Sequence, residues 1–222
     1  MNIPDNILKN RLKNVYFIWG RGKTTIAKKL QEKYGFYVYS TDDSRYDHLL
    51  EADMENQPYM CWDVEKEYGV RNFWELPKKV ILEREEYFLK EMTPMIIADL
   101  IELSTQHEVI ICEGDIDYHS VIPIASHVVY LCNQGKIFDW FKRSDHDDVE
   151  ASLKYRDDLS DEEKQAIIVN AYECVMENEG IKPEWVKKYQ IQNIEWDDNT
   201  SVEQTLNEVE AYFNFKNGVN NI

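Results

Sequence analysis

Residues 15–30 read Val15-Tyr16-Phe17-Ile18-Trp19-Gly20-Arg21-Gly22-Lys23-Thr24-Thr25-Ile26-Ala27-Lys28-Lys29-Leu30. The run opens apolar, rich in β-branched and aromatic types, and passes through two glycines. Apolar residues then return with helical spacing at Ile26, Ala27, Leu30 and Tyr34, so the order is buried strand, tight turn, helix. Gly22-Lys23-Thr24 falls at the helix start, where unpaired amides and the positive end of the dipole favour a phosphate. A lysine there adds a mobile cation for β/γ-phosphates, and the Thr24 hydroxyl can reach Mg²⁺. Gly20, Arg21, Gly22, Lys23, Thr24 and Thr25 are therefore the candidate nucleotide-binding residues.

The spacing departs from the usual pattern. A phosphate-binding loop of this kind places four residues between its first glycine and the Gly-Lys-Ser/Thr, whereas only Arg21 separates Gly20 from Gly22. Counted strictly, the first-glycine position falls on Phe17, inside the strand. Relative to Gly20 the turn lacks roughly 10 Å of extended chain, and a turn that short cannot wrap a β-phosphate in successive amides. Three readings stay open: a natural or engineered deletion that damages the site, a segment missing from the written sequence, or a different turn that holds no phosphate. Taken alone, Gly-Arg-Gly-Lys reads as a tight turn.

A chain of 222 residues can bury one substantial core, enough for a sheet covered on both faces. Its formal charge of −17 repels nucleic acid and anionic membranes, and most of that charge serves solubility. Cys61, Cys112, Cys132 and Cys174 lack paired metal spacing; Cys112 and Cys132 lie in apolar runs, which favours buried reduced thiols over disulfides. The longest apolar stretch, residues 121–132, is too short to span a bilayer, and no signal peptide is evident. A soluble, cytoplasmic protein is the expectation.

Along the chain, residues 4–13 read as a short amphipathic helix, and Gly35 as a C-cap before a second strand over 36–39. A strand–helix–strand connection of this length implies a parallel sheet. Ser40-Thr41-Asp42-Asp43-Ser44-Arg45 follows the second strand, at the edge where open α/β sheets bind ligands. Asp42 or Asp43 can accept the proton of a substrate hydroxyl, and Arg45 can hold an anion; the structural alternative is an aspartate that caps the next helix. Residues 46–106 are helical and rich in aromatic residues (Trp62, Tyr68, Phe73, Trp74, Tyr87), with helices expected over 77–90 and, beyond Pro94, over 95–103. These aromatics are core before they are stacking platform. Arg71 and Arg84 are secondary substrate candidates, against a default of surface ion pairing.

A third strand over 108–112 leads into Glu113-Gly114-Asp115-Ile116-Asp117. A carboxylate at a strand tip beside the opening strand can orient Mg²⁺ or position a nucleophile, with Glu113 best placed and Asp115 second. The fourth strand, 127–131, precedes a helix over 134–141 and then Arg143, His146 and Arg156. Arg143 is the candidate lid cation, with Arg156 behind it, whereas His146 reads as a solvated surface residue. A Ser160–Glu163 capping box opens a helix expected to stop at Gly180, residues 189–196 form a fifth strand, and a box at Thr200–Glu203 starts the last helix along Val202, Leu206, Val209 and Phe213.

Taken together, Gly22-Lys23-Thr24-Thr25, Ser40-Thr41-Asp42-Asp43, Glu113-Gly114 and the fourth strand followed by Arg143 resemble the P-loop kinases of the nucleoside and nucleotide kinase type. The final helix looks like that of adenylate-kinase-like proteins. The resemblance implies a three-layer α/β P-loop NTPase fold over residues 1–222, with a five-stranded parallel sheet, a helical substrate insertion at about 45–106 and a lid at about 142–160. It also implies ATP and Mg²⁺, with Lys23 on the phosphates and Thr24 at the metal, where the strand-tip reading adds Glu113. Nucleoside monophosphate kinases commonly carry an arginine after the acidic turn of the third strand; Asp115-Ile116-Asp117 stands there instead. That substitution points to a small neutral or cationic acceptor, contacted by Asp43, Arg45 and Glu113, rather than a phosphorylated one. The alternative is a scaffold with impaired nucleotide binding that serves as a protein-binding module.

Overall fold

The computed structural model describes residues 3–133 and 149–215, the side chains of 179–183 excepted. Five parallel strands form one sheet: β1 (Val15–Gly20), β2 (Tyr37–Ser40), β3 (Ile110–Glu113), β4 (His127–Asn133) and β5 (Gln192–Trp196), in the order β2-β3-β1-β4-β5. The opening strand is thus central. Its register pairs Ile18 with Glu113 on one side and Gly20 with Leu131 on the other.

Alternation along β1 divides the core into two layers. Phe17 and Trp19 face one layer with Phe88, Met92, Ile96 and Leu100 of α5 (Lys78–Leu103). Ile18 faces the other, with Ile26 and Leu30 of α2 (Lys23–Tyr34) and Leu206, Val209 and Phe213 of the last helix, α9 (Val202–Phe213). Both layers are needed because a parallel sheet is buried on its two faces. This is the expected three-layer α/β arrangement.

The remaining helices are α1 (Asp5–Arg11), α3 (Thr41–Glu51), α4 (Val64–Tyr68), α6 (Tyr118–Val121), α7 (Val149–Leu153) and α8 (Asp161–Lys188). Trp62, Phe73 and Trp74 pack around Leu76 and Ile81 in a satellite core, whereas Tyr68 and Tyr87 stay exposed. The first three serve as core, as expected of aromatics.

Four local expectations need correction. Pro94 does not divide α5, which runs unbroken through it. The proline removes one amide, but the buried stripe Phe88–Met92–Ile96–Leu100 continues across it, and the Thr93 hydroxyl donates to the Leu89 carbonyl at 2.7 Å. Likewise α8 passes Gly180 and ends at Lys188. A mid-helix glycine costs about 1 kcal/mol, less than the roughly 1.5–3 kcal/mol from burying an apolar side chain such as Val186. The final capping box is Ser201 with Gln204, one residue later than expected, and Val202 is exposed outside the stripe. Cys132 is half-buried, while Cys112 and Cys174 are buried; none of the four cysteines forms a disulfide. No helix among the described residues is long and apolar enough to cross a membrane.

Candidate functional site

The turn after β1 is closed by hydrogen bonds. Gly20 and Gly22 both take positive φ, +86° and +84°. Arg21, between them, is 8% exposed; its amide donates to the Leu131 carbonyl at 3.0 Å, and its own carbonyl accepts from the Trp196 indole at 3.0 Å. The Arg21 amide therefore extends the β1–β4 ladder and does not point to a ligand. Gly22 begins α2 with no side-chain cap, which leaves the first-turn amides beside Lys23, Thr24 and Thr25. Thr24 and Thr25 are exposed and Lys23 is half-buried.

Beside this helix start lies Glu113, at the tip of β3 and 2% exposed. The Thr24 hydroxyl donates to it at 2.8 Å across 89 residues of sequence, and Ser40, at the end of β2, stands beside it in register. Burial raises the Glu113 carboxyl above its ordinary range; Asp42 adds to this, while Thr24, Lys23 and Ser40 oppose it. Gly114, at φ +120°, allows the next step: a Cβ there stands 2.0 Å from the Thr41 hydroxyl, which donates to the Asp115 carbonyl at 2.9 Å. The acidic turn is thereby pinned to the start of α3.

After β2, α3 begins at once. Ser40, not an aspartate, is its cap, and accepts from the Asp43 amide at 3.2 Å. Asp42 and Asp43 both sit in the first turn, and both side chains reach solvent. Their surroundings differ. Asp42 is walled in on its inner side, and this desolvation, with Asp115 nearby, raises its carboxyl; Lys23 and Arg45 oppose the rise. Arg45 lies 4.2 Å over the Phe88 ring and acts on both Asp42 and Glu85.

The folded chain therefore gathers Lys23, Thr24, Asp42, Arg45, Glu113 and Asp115 at the carboxyl ends of β1, β2 and β3. Other candidates stand apart. Arg84, 13% exposed, is enclosed by Trp62, Phe73 and Phe88 at 5.6, 5.2 and 4.9 Å and pairs with Glu85 at 3.1 Å. Arg156 binds Glu75 at 2.5 Å and Asp158 at 2.8 Å, tying the segment after α7 to the short turn Phe73–Glu75. Exposed Arg71 acts on the same Asp158. Asp117 caps α6, accepting from the His119 amide and the Ser120 hydroxyl. Arg143, His146 and the expected helix over 134–141 lie outside the described residues. Glu85, which Arg45 brings beside the site, has no motif in the sequence; only the packing of α5 reveals it.

The donor set fits Mg²⁺, a hard cation that takes oxygen ligands: a buried carboxylate on a threonine hydroxyl, with burial opposing its negative charge. One phosphoryl group fits the uncapped start of α2. A polyphosphate wrapped by the turn does not fit, since the Arg21 amide is already engaged.

Because burial raises Glu113, its contribution to stability is complete below the unfolded carboxyl value of about 4.3. That contribution is lost as pH rises through the folded value. Glu113→Gln removes the loss. Thermal melts should therefore show the variant gaining on the parent between pH 4 and pH 7, and a difference independent of pH would contradict this account.

Fold and site define a three-layer α/β protein with its reactive groups at the carboxyl edge of a parallel sheet. No family model and no curated protein matches the chain. Among solved structures, dephospho-CoA kinase from Campylobacter jejuni is similar at a TM-score of 0.42 and 13% identity, over 91% of this chain and 96% of that one. Shikimate kinase from Acinetobacter baumannii, in complex with shikimate, gives 0.38 and 15%, over 96% and 97%. These likenesses are remote, and the functional reading rests on the site itself.

Proposed function

We propose that this chain is a phosphotransferase that moves a phosphoryl group from Mg²⁺-ATP to a hydroxyl of a small neutral or cationic acceptor. The observation that carries this reading is the Thr24–Glu113 hydrogen bond of 2.8 Å. It joins the helix start behind Lys23 to a buried carboxylate at the neighbouring strand tip. Residues 1–222 act as one domain, with the helices of residues 45–106 forming the acceptor side.

When bound, Mg²⁺-ATP supplies the phosphoryl group and a Lewis acid. Lys23 and the α2 amides would hold the terminal phosphate charge, and Thr24 and Glu113 would hold the metal. Asp42 takes the acceptor's hydroxyl proton as the new O–P bond forms and the bond to the β-phosphate oxygen breaks. Asp115 disfavours an anionic acceptor beside that base.

The closed turn favours a second reading, a scaffold whose nucleotide binding is impaired and whose helical side binds a protein partner. Calorimetry separates the two. Insertion of three small residues between Gly20 and Gly22 gives the turn amides that can point at phosphate, each worth about 1.5–3 kcal/mol to a charged group. Mg²⁺-ATP affinity is expected to rise about tenfold or more. If neither chain binds Mg²⁺-ATP, the phosphotransferase reading is wrong and the scaffold stands.

A further inference from the structure

We infer that the outer face of α3 is a docking surface for a basic amphipathic helix of a partner protein. This goes beyond the reading of the site as a phosphotransferase and does not depend on it, because none of the side chains involved belongs to the reacting groups. Thr41 and His48, two turns apart on one face, are the side chains that α3 buries. Tyr46 and Leu50, one turn apart, fall on the opposite face, and Met54 follows in the turn past the helix end. These three are 67%, 69% and 65% exposed, with Leu49 exposed beside them. A single exposed apolar residue needs no explanation, but four that adjoin on one face form a patch, and such patches mark interaction sites. Among the described residues, none of the four packs into a hydrophobic cluster.

The charges beside the stripe choose its occupant. Asp43, Asp47 and Glu51 recur every fourth residue, which sets them in a row along one flank of Tyr46 and Leu50. All three are exposed, and none enters an ion pair among the described residues. Between residues 41 and 56 the sole lysine or arginine is Arg45, and its guanidinium lies 4.2 Å over buried Phe88, on the inner side of the helix.

A second copy of this chain is the wrong occupant, since two like faces would set the acidic row against itself. An anionic membrane is repelled for the same reason. A helix with apolar side chains at i, i+4 and i+7 and lysines or arginines along its margins satisfies the stripe and the row together. α3 spans 11 residues, roughly 16 Å at 1.5 Å per residue, which matches about three turns of such a partner.

Three peptides of about 15 residues, long enough to form a helix, test this. One is built of leucine and lysine with its leucines on one face, the second is a scramble of the same composition, and the third carries glutamate in place of every lysine of the first. Each bears a fluorophore, and binding to the full chain without nucleotide is read by anisotropy. The facial basic peptide is expected to bind about tenfold or more tighter than either control and to weaken as salt is added. Tyr46→Ser combined with Leu50→Ser, checked by thermal melt, should bring it to the level of the scramble. Asp47→Asn combined with Glu51→Gln should weaken it by about threefold and flatten its salt dependence; if the serine variant melts lower than the parent, this second variant decides, and unchanged affinity overturns the inference. Equal binding of the facial and scrambled peptides, or binding that survives the serine substitutions in a folded chain, overturns it too. So does dimerisation of the chain in sedimentation that the same serines abolish, because the face is then a contact between copies. With nucleotide absent, failure of the phosphotransferase reading in the loop-insertion experiment leaves this result standing, and failure here leaves that reading untouched.

Discussion

Asp42→Asn should lower kcat by about 10²–10⁴-fold, the usual range for losing a general base, whereas Asp43→Asn should stay within about threefold. The two aspartates are adjacent and were equivalent candidates from sequence. Their places on α3 separate them. The Asp43 backbone is part of the cap, donating to Ser40 at 3.2 Å. Asp42 instead lies where Lys23, Arg45 and Asp115 all act on its carboxyl.

The carboxyl of Asp42 is raised by desolvation first and by Asp115 second. A base must be ionised to take a proton, so a raised value moves the acid limb of the kcat/KM profile above the ordinary aspartate range. Asp115→Asn should shift that limb downward. The measurement is a pH–rate profile in whichever loop length turns over; equal losses from Asp42→Asn and Asp43→Asn would remove Asp42 from the mechanism.

Gly20→Ala should be the most destabilising substitution in the turn, by about 3–6 kcal/mol. Its φ of +86° costs an L-residue roughly 1–2 kcal/mol. The added Cβ stands 2.2 Å from the Leu131 carbonyl oxygen and 3.0 Å from that residue's carbonyl carbon and amide nitrogen. These are backbone atoms of the adjacent central strand, so relief means moving β4, at about 1–3 kcal/mol for overpacking. The Arg21–Leu131 hydrogen bond goes with it, worth roughly 1 kcal/mol. Gly35→Ala is the control, since its φ of +71° is similar and nothing lies within 4 Å of the added atom. Urea unfolding should show the Gly20 variant losing several times more stability than the Gly35 variant; equal losses would mean that β4 yields at little cost.

Much of the fold was legible because its signals are local. The run from Val15 to Trp19 followed by glycine, lysine and helical spacing specifies strand, turn and helix within 16 residues. The Ser160–Glu163 capping box formed as expected for the same reason. Boundaries failed where a distant surface outweighed a local signal: Pro94 and Gly180 are helix breakers in isolation, and buried faces carried both helices through them. Within the site, residue type and position after a strand marked Lys23, Thr24, Asp42 or Asp43, and Glu113 as candidates, and Thr24 and Glu113 do meet in the fold. The engagement of Arg84 and Arg156 with their own carboxylates was not legible there.

The sequence by itself determined the parallel α/β order, the acidic strand tip and the shortness of the turn after the opening strand, since each follows from residue type and spacing along a few neighbours. Tertiary structure alone decided that Thr24 meets Glu113, that Ser40 frees the side chain of Asp42 from capping, and that Trp196 and Leu131 close the turn on Arg21. Those outcomes depend on which strands lie side by side and in what register, and pairing across 89 or 175 residues is set by the burial of two sheet faces at once, which no local pattern encodes.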